Sequence, residues 1–192
     1  METTVLERES KSIHPHKFVM WVAIGGIVMM FAGLTSAYIV KKNQSSWLQF
    51  DLPIQFYYST AVIVLSSIAM FLSARAIKAG KMGQYKAMIS VTAVLGITFL
   101  LMQYLGFKDL QARNITLVGA RSNSAASFLF VITFLHMLHV LGGVIALTLY
   151  RVKANSKKTT ESKVVAVEIL STYWHFVDLL WIYLFLFYNW IG

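Results

Sequence analysis

Long stretches without charge constrain this chain more than any other feature. Charged side chains avoid Phe18 to Val40, Leu52 to Ala74, Ala87 to Phe107 and Ser122 to Tyr150, and each window clears the ~20 residues that a membrane-spanning helix needs. A fifth segment, from about Val164 to Gly192, passes on length and hydrophobicity but carries Glu168, His175 and Asp178 where a bilayer penalises polar groups. The expected fold is all-α: a polytopic membrane protein whose five transmembrane helices, at about 18–40, 52–74, 87–107, 122–150 and 164–192, form one domain over 18–192. The links between them leave no room for a soluble domain of ~100 residues. Function is expected inside the membrane.

Residues 1–17 read as a polar tail on the inner face. The stretch "METTVLERESKSIHPHKF" mixes acids and bases and lacks the small-residue cleavage site of a signal peptide; Pro15 suits a helix start. Of the 17 Lys and Arg residues, 12 lie in the tail, the second link and the fourth link, against 5 in the first and third. The bias toward inside bases puts the N-terminus inside and the C-terminus outside a cell membrane. Bases so dispersed act as topology signals and anionic-lipid contacts, so no nucleic-acid partner is expected. The absence of cysteine excludes disulfides, iron–sulfur clusters, thiolate-bound copper and covalently attached haem.

Asp51 and Pro53 suit the start of the second helix, and "KAGKMGQYK" is a short glycine-punctuated link that makes helices two and three antiparallel neighbours. Gly26, Gly33 and Ala37 on helix one, and Gly142 with Gly143 on helix four, are expected packing faces, because small residues let helices approach closely.

Glu168, Ser171, Thr172, His175 and Asp178 recur every three or four residues and so share one helix face, while Trp174, Phe176, Leu179 and Trp181 occupy the others. Thr133, His136, His139 and Gly143 form a second polar row on helix four. Counting ~1.5 Å per residue from the link at 151–163 puts His139 and His175 each roughly 16 Å deep, and pairs His136 with Asp178 in the same way. An Asp at mid-membrane costs about 2.5 to 3.5 kcal/mol on insertion scales, which favours docking the two rows on each other. Such a cluster admits a metal or haem site on His136, His139 and His175, a proton relay, or a structural hydrogen-bond network. The network is the reading preferred, with no metal bound by this chain.

"YWHFVDLLWIYLF" (Tyr173 to Phe185), with Glu168 five residues ahead, resembles the final-helix signature of subunit III of the haem–copper terminal oxidases. "TFLHMLHVLGG" (Thr133 to Gly143) is similar to that family's preceding helix, with Phe134 and Met137 in place of two usual glycines. "FAGLTSAYIV", "STAVIVLSS" and "GITFLLMQYLGF" extend a weaker likeness upstream, so that residues 18 to 192 match the five-helix bacterial form. The resemblance implies a non-redox subunit of an oxidase that reduces oxygen to water. It would dock on subunit I, with haem and copper in partner subunits, and hold phospholipid in a cleft between helices one and two on one side and the other three on the other. It also implies a lipid-phosphate role for Arg151. Two family carboxylates are missing, with Ile27 and Gly106 in their places. A subunit-III-like protein of nitric oxide reductase and a stand-alone proton-coupled transporter are the alternatives.

Overall fold

The computed structural model describes residues 15–43, 51–115, 117, 123–154 and 160–191. The tail at 1–14, with Arg8 and Lys11, and the link residues Arg121, Lys157 and Lys158 lie outside them. Five helices account for nearly all of the described chain: α1 (Pro15–Lys42), α2 (Ile54–Lys78), α3 (Met82–Ala112), α4 (Ser124–Lys153) and α5 (Thr160–Ile191). Among the described residues there is no strand, and all five helices are long and apolar enough to cross a membrane.

Most ends run past the charge-free windows, since a helix has no reason to stop at the membrane boundary when Lys, Arg and Gln continue it. The starts of α2 and α4 are the exceptions. Pro53, extended at φ −56° and ψ 142°, is the N-cap of α2 itself, and no side chain caps that helix, so Asp51 does not serve there. Asn123 caps α4 by accepting from the Ala125 N–H at 2.9 Å. Between α2 and α3 the chain turns at Gly80, whose φ of +71° favours glycine. The Gly80 and Lys81 N–H groups close that turn on Ile77 O and Ala76 O.

Helix α5 is the hub, packed on α1, α2 and α4, while α3 sits between α2 and α4. Its largest fully buried side chains are the two tryptophans. Trp174 is wedged where α3 and α4 each present a glycine: a Cβ added at Gly96 would lie 2.7 Å from its ring, and one at Gly143 2.9 Å. Its indole N–H donates to Ser66 Oγ of α2 at 3.0 Å, so one side chain ties three helices to the fourth. Two turns on, Trp181 packs edge-on to Phe99 and over His136, and donates to Thr60 Oγ1 at 3.0 Å. Gly106 plays a similar part for Phe56, which a Cβ there would meet at 2.6 Å.

The small-residue faces expected on α1 meet no other helix among the described residues. A Cβ at Gly26, Gly33 or Gly142 would meet nothing within 4 Å; of the positions named from sequence, Gly143 alone is a close approach. Large apolar side chains such as Phe18, Trp21, Met29, Leu101 and Leu186 cover the outside, as a surface facing acyl chains requires.

Candidate functional site

The polar row of α5 exists, but its main partner is α2. His175 Nδ1 meets Ser67 Oγ at 2.7 Å, next to the Trp174–Ser66 bond. Tyr57 OH donates to Asn189 Oδ1 at 2.7 Å toward one end, and Lys78 Nζ pairs with Glu168 Oε1 at 2.8 Å toward the other. Successive α2 residues thus meet successively earlier α5 residues, the register of an antiparallel pair. Each bond across the seam is worth on the order of 0.6 kcal/mol inside a membrane, so the seam sets register more than it supplies stability. Asp178 is 3% exposed on this same side. Ser67 is the hydroxyl beside it, but the well-formed bond of that hydroxyl goes to His175. Among the described residues neither Asp178 oxygen has a hydrogen-bond partner.

The expected pairs, His139 with His175 and His136 with Asp178, are not formed. His136 is fully buried among the rings of Phe31, Phe99 and Trp181, with neither nitrogen hydrogen-bonded among the described residues. His139 Nδ1 donates to Leu135 O one turn back, at 2.7 Å. Hydrogen bonds join α4 to α5 elsewhere, with Tyr173 OH donating to the His139 carbonyl at 3.0 Å and a Thr133–Tyr188 hydroxyl pair at 3.2 Å. Thr172 turns its hydroxyl back to Glu168 O. Among the described residues, hydrogen bonds link His175 to Ser67 and do not extend to Asp178. Among the described residues no three His, Asp or Glu side chains are grouped as a metal site would need.

Sequence reasoning missed the serines. Ser59, Ser66 and Ser73, seven residues apart, are all buried along one α2 face, and Ser59 accepts from Gln103 Nε2 of α3 at 2.7 Å. Their spacing was the available signal, since two helical turns repeat a face.

A cleft of about 460 Å³ opens between α1 and α2, floored by α5 and lined by Lys17, Trp21, Phe71, Glu168, Thr172 and His175, among others. This departs from the expected cleft. The α1 and α2 helices do not stand together as one wall; among the described residues their backbones do not approach each other, and α2 packs on α3 and α5. The exposed indole of Trp21 and ring of Phe71 give the walls an apolar surface, with the Lys17, Lys78 and Glu168 charges at one end. Arg151 is not in the cleft lining. Its Nε–H is shared between Lys86 O at 3.1 Å and Ser90 Oγ at 3.0 Å, which ties the end of α4 to the start of α3.

The family model for cytochrome c oxidase subunit III matches residues 47–192. A probable cytochrome c oxidase subunit 3 of Mycobacterium tuberculosis is 29% identical over 175 residues, 85% of each chain. A cytochrome bo(3) ubiquinol oxidase subunit 3 of Buchnera aphidicola is 28% identical over 88% of this chain and 83% of its own. A cytochrome c oxidase subunit 3 of Synechocystis is 28% identical, covering 97% and 85% respectively.

Proposed function

Because the chain belongs to the cytochrome c oxidase subunit III family, we propose that it is the non-redox subunit III of a respiratory oxidase reducing oxygen to water. In this reading it sits in a bacterial inner membrane, with its N-terminus inside, and docks against subunit I, which together with other partners carries haem and copper. Its own work is mechanical. The observation that carries this is how the ionisable side chains of α4 and α5 are used: His136 is enclosed by aromatic rings, His139 bonds its own helix, and His175 bonds Ser67 of α2. These are the contacts of a scaffold, where polar groups fix helix register.

The cleft between α1 and α2 holds phospholipid in this account. Its apolar walls suit acyl chains, and the lysines at one end suit a headgroup. Arg151 offers a second headgroup contact at the end of α4, its charge held in place by Ser90. Cytochrome c is the proposed electron donor, following the names of most relatives, with a quinol the alternative that the Buchnera relative brings.

Purification through a tag on this chain in mild detergent is expected to bring down a haem-containing complex. Visible spectra should show its bands, and the complex should consume oxygen with reduced cytochrome c. A colourless chain that catalyses proton-coupled uptake in vesicles would instead establish the transporter. A haem complex that reduces nitric oxide and not oxygen would point to the other respiratory assembly.

A further inference from the structure

One end of α1 is held differently from the rest. From Lys17 to Ala23 none of its side chains is buried; burial begins at Ile24 and continues through Phe31, Thr35 and Tyr38. Along that later stretch α1 is well anchored. Phe31 lies edge-on to His136 and His139, Thr35 reaches Tyr183 at 3.2 Å, and Tyr38 packs against Phe128 and Phe187. Lys42 donates to the Ile191 carbonyl, fastening the far ends of α1 and α5.

The first turns of α1 have a different fastening. Glu168 of α5 takes Lys17 on one carboxylate oxygen and Lys78, in the last turn of α2, on the other, both at 2.8 Å. The cleft opens beside this triad, with Met20 and Trp21 on one wall and Phe71 and Ala74 on the other. The three side chains are 40%, 29% and 56% exposed, and pairs this accessible are individually weak and sensitive to salt. Among the described residues the α1 and α2 backbones do not approach each other, and the bridge through Glu168 joins the α1 start to α2.

We propose that Lys17, Glu168 and Lys78 form an ionic latch that sets the width of the cleft mouth. When made, it draws the first two turns of α1 toward α5 and α2. When broken, it lets them swing outward about the packing at Ile24 and Phe31. The swing gives entry to the cleft without disturbing the anchored part of α1. The latch follows from the contacts of this chain and does not rest on what occupies the cleft.

The chain has no cysteine, so spin labels can be placed at Met20→Cys and Phe71→Cys, on opposite walls, within the intact purified complex. The expected distance distribution is narrow with the latch intact. It becomes longer and broader in Glu168→Gln and in Lys17→Ala. Raising salt from about 0.1 M to about 1 M, where the screening length falls from roughly 10 Å to roughly 3 Å, should move the parent toward the variants and leave Glu168→Gln unchanged. A control pair at Ala37→Cys and Leu186→Cys should stay the same throughout. A Met20–Phe71 distribution that neither substitution nor salt alters would overturn the latch, as would equal broadening at the control pair, which means α1 loosens as a whole. The salt series on the parent decides the matter if a variant fails to assemble, and either result leaves the subunit assignment to be judged by the haem spectrum.

Discussion

Trp174→Ala is expected to destabilise the bundle by about 3 to 5 kcal/mol, the range for truncating a large buried aromatic side chain. The ring is 1% exposed and touches α3 through Gly96 and α4 through Gly143. Association of helices in a bilayer depends on dispersion between well-packed surfaces, because lipid offers no hydrophobic driving force between them. Emptying the joint where α5 meets α3 and α4 removes that attraction at the hub. The hydrogen bond to Ser66 is the smaller part, so Trp174→Phe should cost far less than Trp174→Ala. Thermal unfolding of the purified complex, together with the amount of this chain retained per haem, measures both. Equal thermal midpoints for Trp174→Ala and the parent would show that Trp174 is not the joint described.

Gly96→Val is the converse experiment, and its expected effect is a loss of at least about 1 to 3 kcal/mol from overpacking. A Cβ at Gly96 would stand 2.7 Å from the Trp174 ring and 2.8 Å from Val144 Cγ2. The ring cannot retreat, because the backbone of Gly143 lies against its other edge, where an added Cβ would be 2.9 Å away. Gly26→Val supplies the comparison, since nothing lies within 4 Å of the new atom and the fold of this chain should not change. In the same thermal assay, Gly96→Val is expected well below both the parent and Gly26→Val. Tolerance of both substitutions alike would contradict the close approach of α3 to the Trp174 ring.

These two residues also show where sequence was informative and where it was silent. The five helices were legible because charge is costly in a bilayer, and the cost leaves a direct trace in the spacing of Lys, Arg, Asp and Glu. Gly96 left no such trace: within an apolar window it looks like any other small residue, and only the neighbouring helix makes it indispensable. The α1 glycines looked more suggestive, in a row with Ala37, yet they face away from the other helices of the chain. Periodicity tells which residues share a face, and says nothing of what that face meets.

The polar row of α5 illustrates the same limit. Its members were identifiable from their spacing, and depth was countable along consecutive helices, which led naturally to α4 as the partner. Depth, however, is common to all five helices. The α2 serines reach the same levels, and their short side chains can approach where the α4 histidines are held off by Phe31, Phe99 and Trp181. The aromatic side of α5 likewise turned out to be core, with Trp174 and Trp181 buried and Leu179 exposed. An indole has both a large apolar area and an N–H that needs an acceptor, so Trp174 and Trp181 find the hydroxyls of Ser66 and Thr60 on α2.

In the proposed function the histidines of α4 and α5 build a scaffold, and electron transfer belongs to other subunits. The most direct measurement is the reduced-minus-oxidised visible spectrum, with iron and copper content per complex, of oxidase carrying His136→Leu, His139→Leu or His175→Asn in this chain. For complexes that retain the chain in parent stoichiometry, unchanged haem bands and unchanged metal content are expected. Loss of a haem band or of a metal equivalent in any of the three, with the chain still present, would contradict the scaffold role.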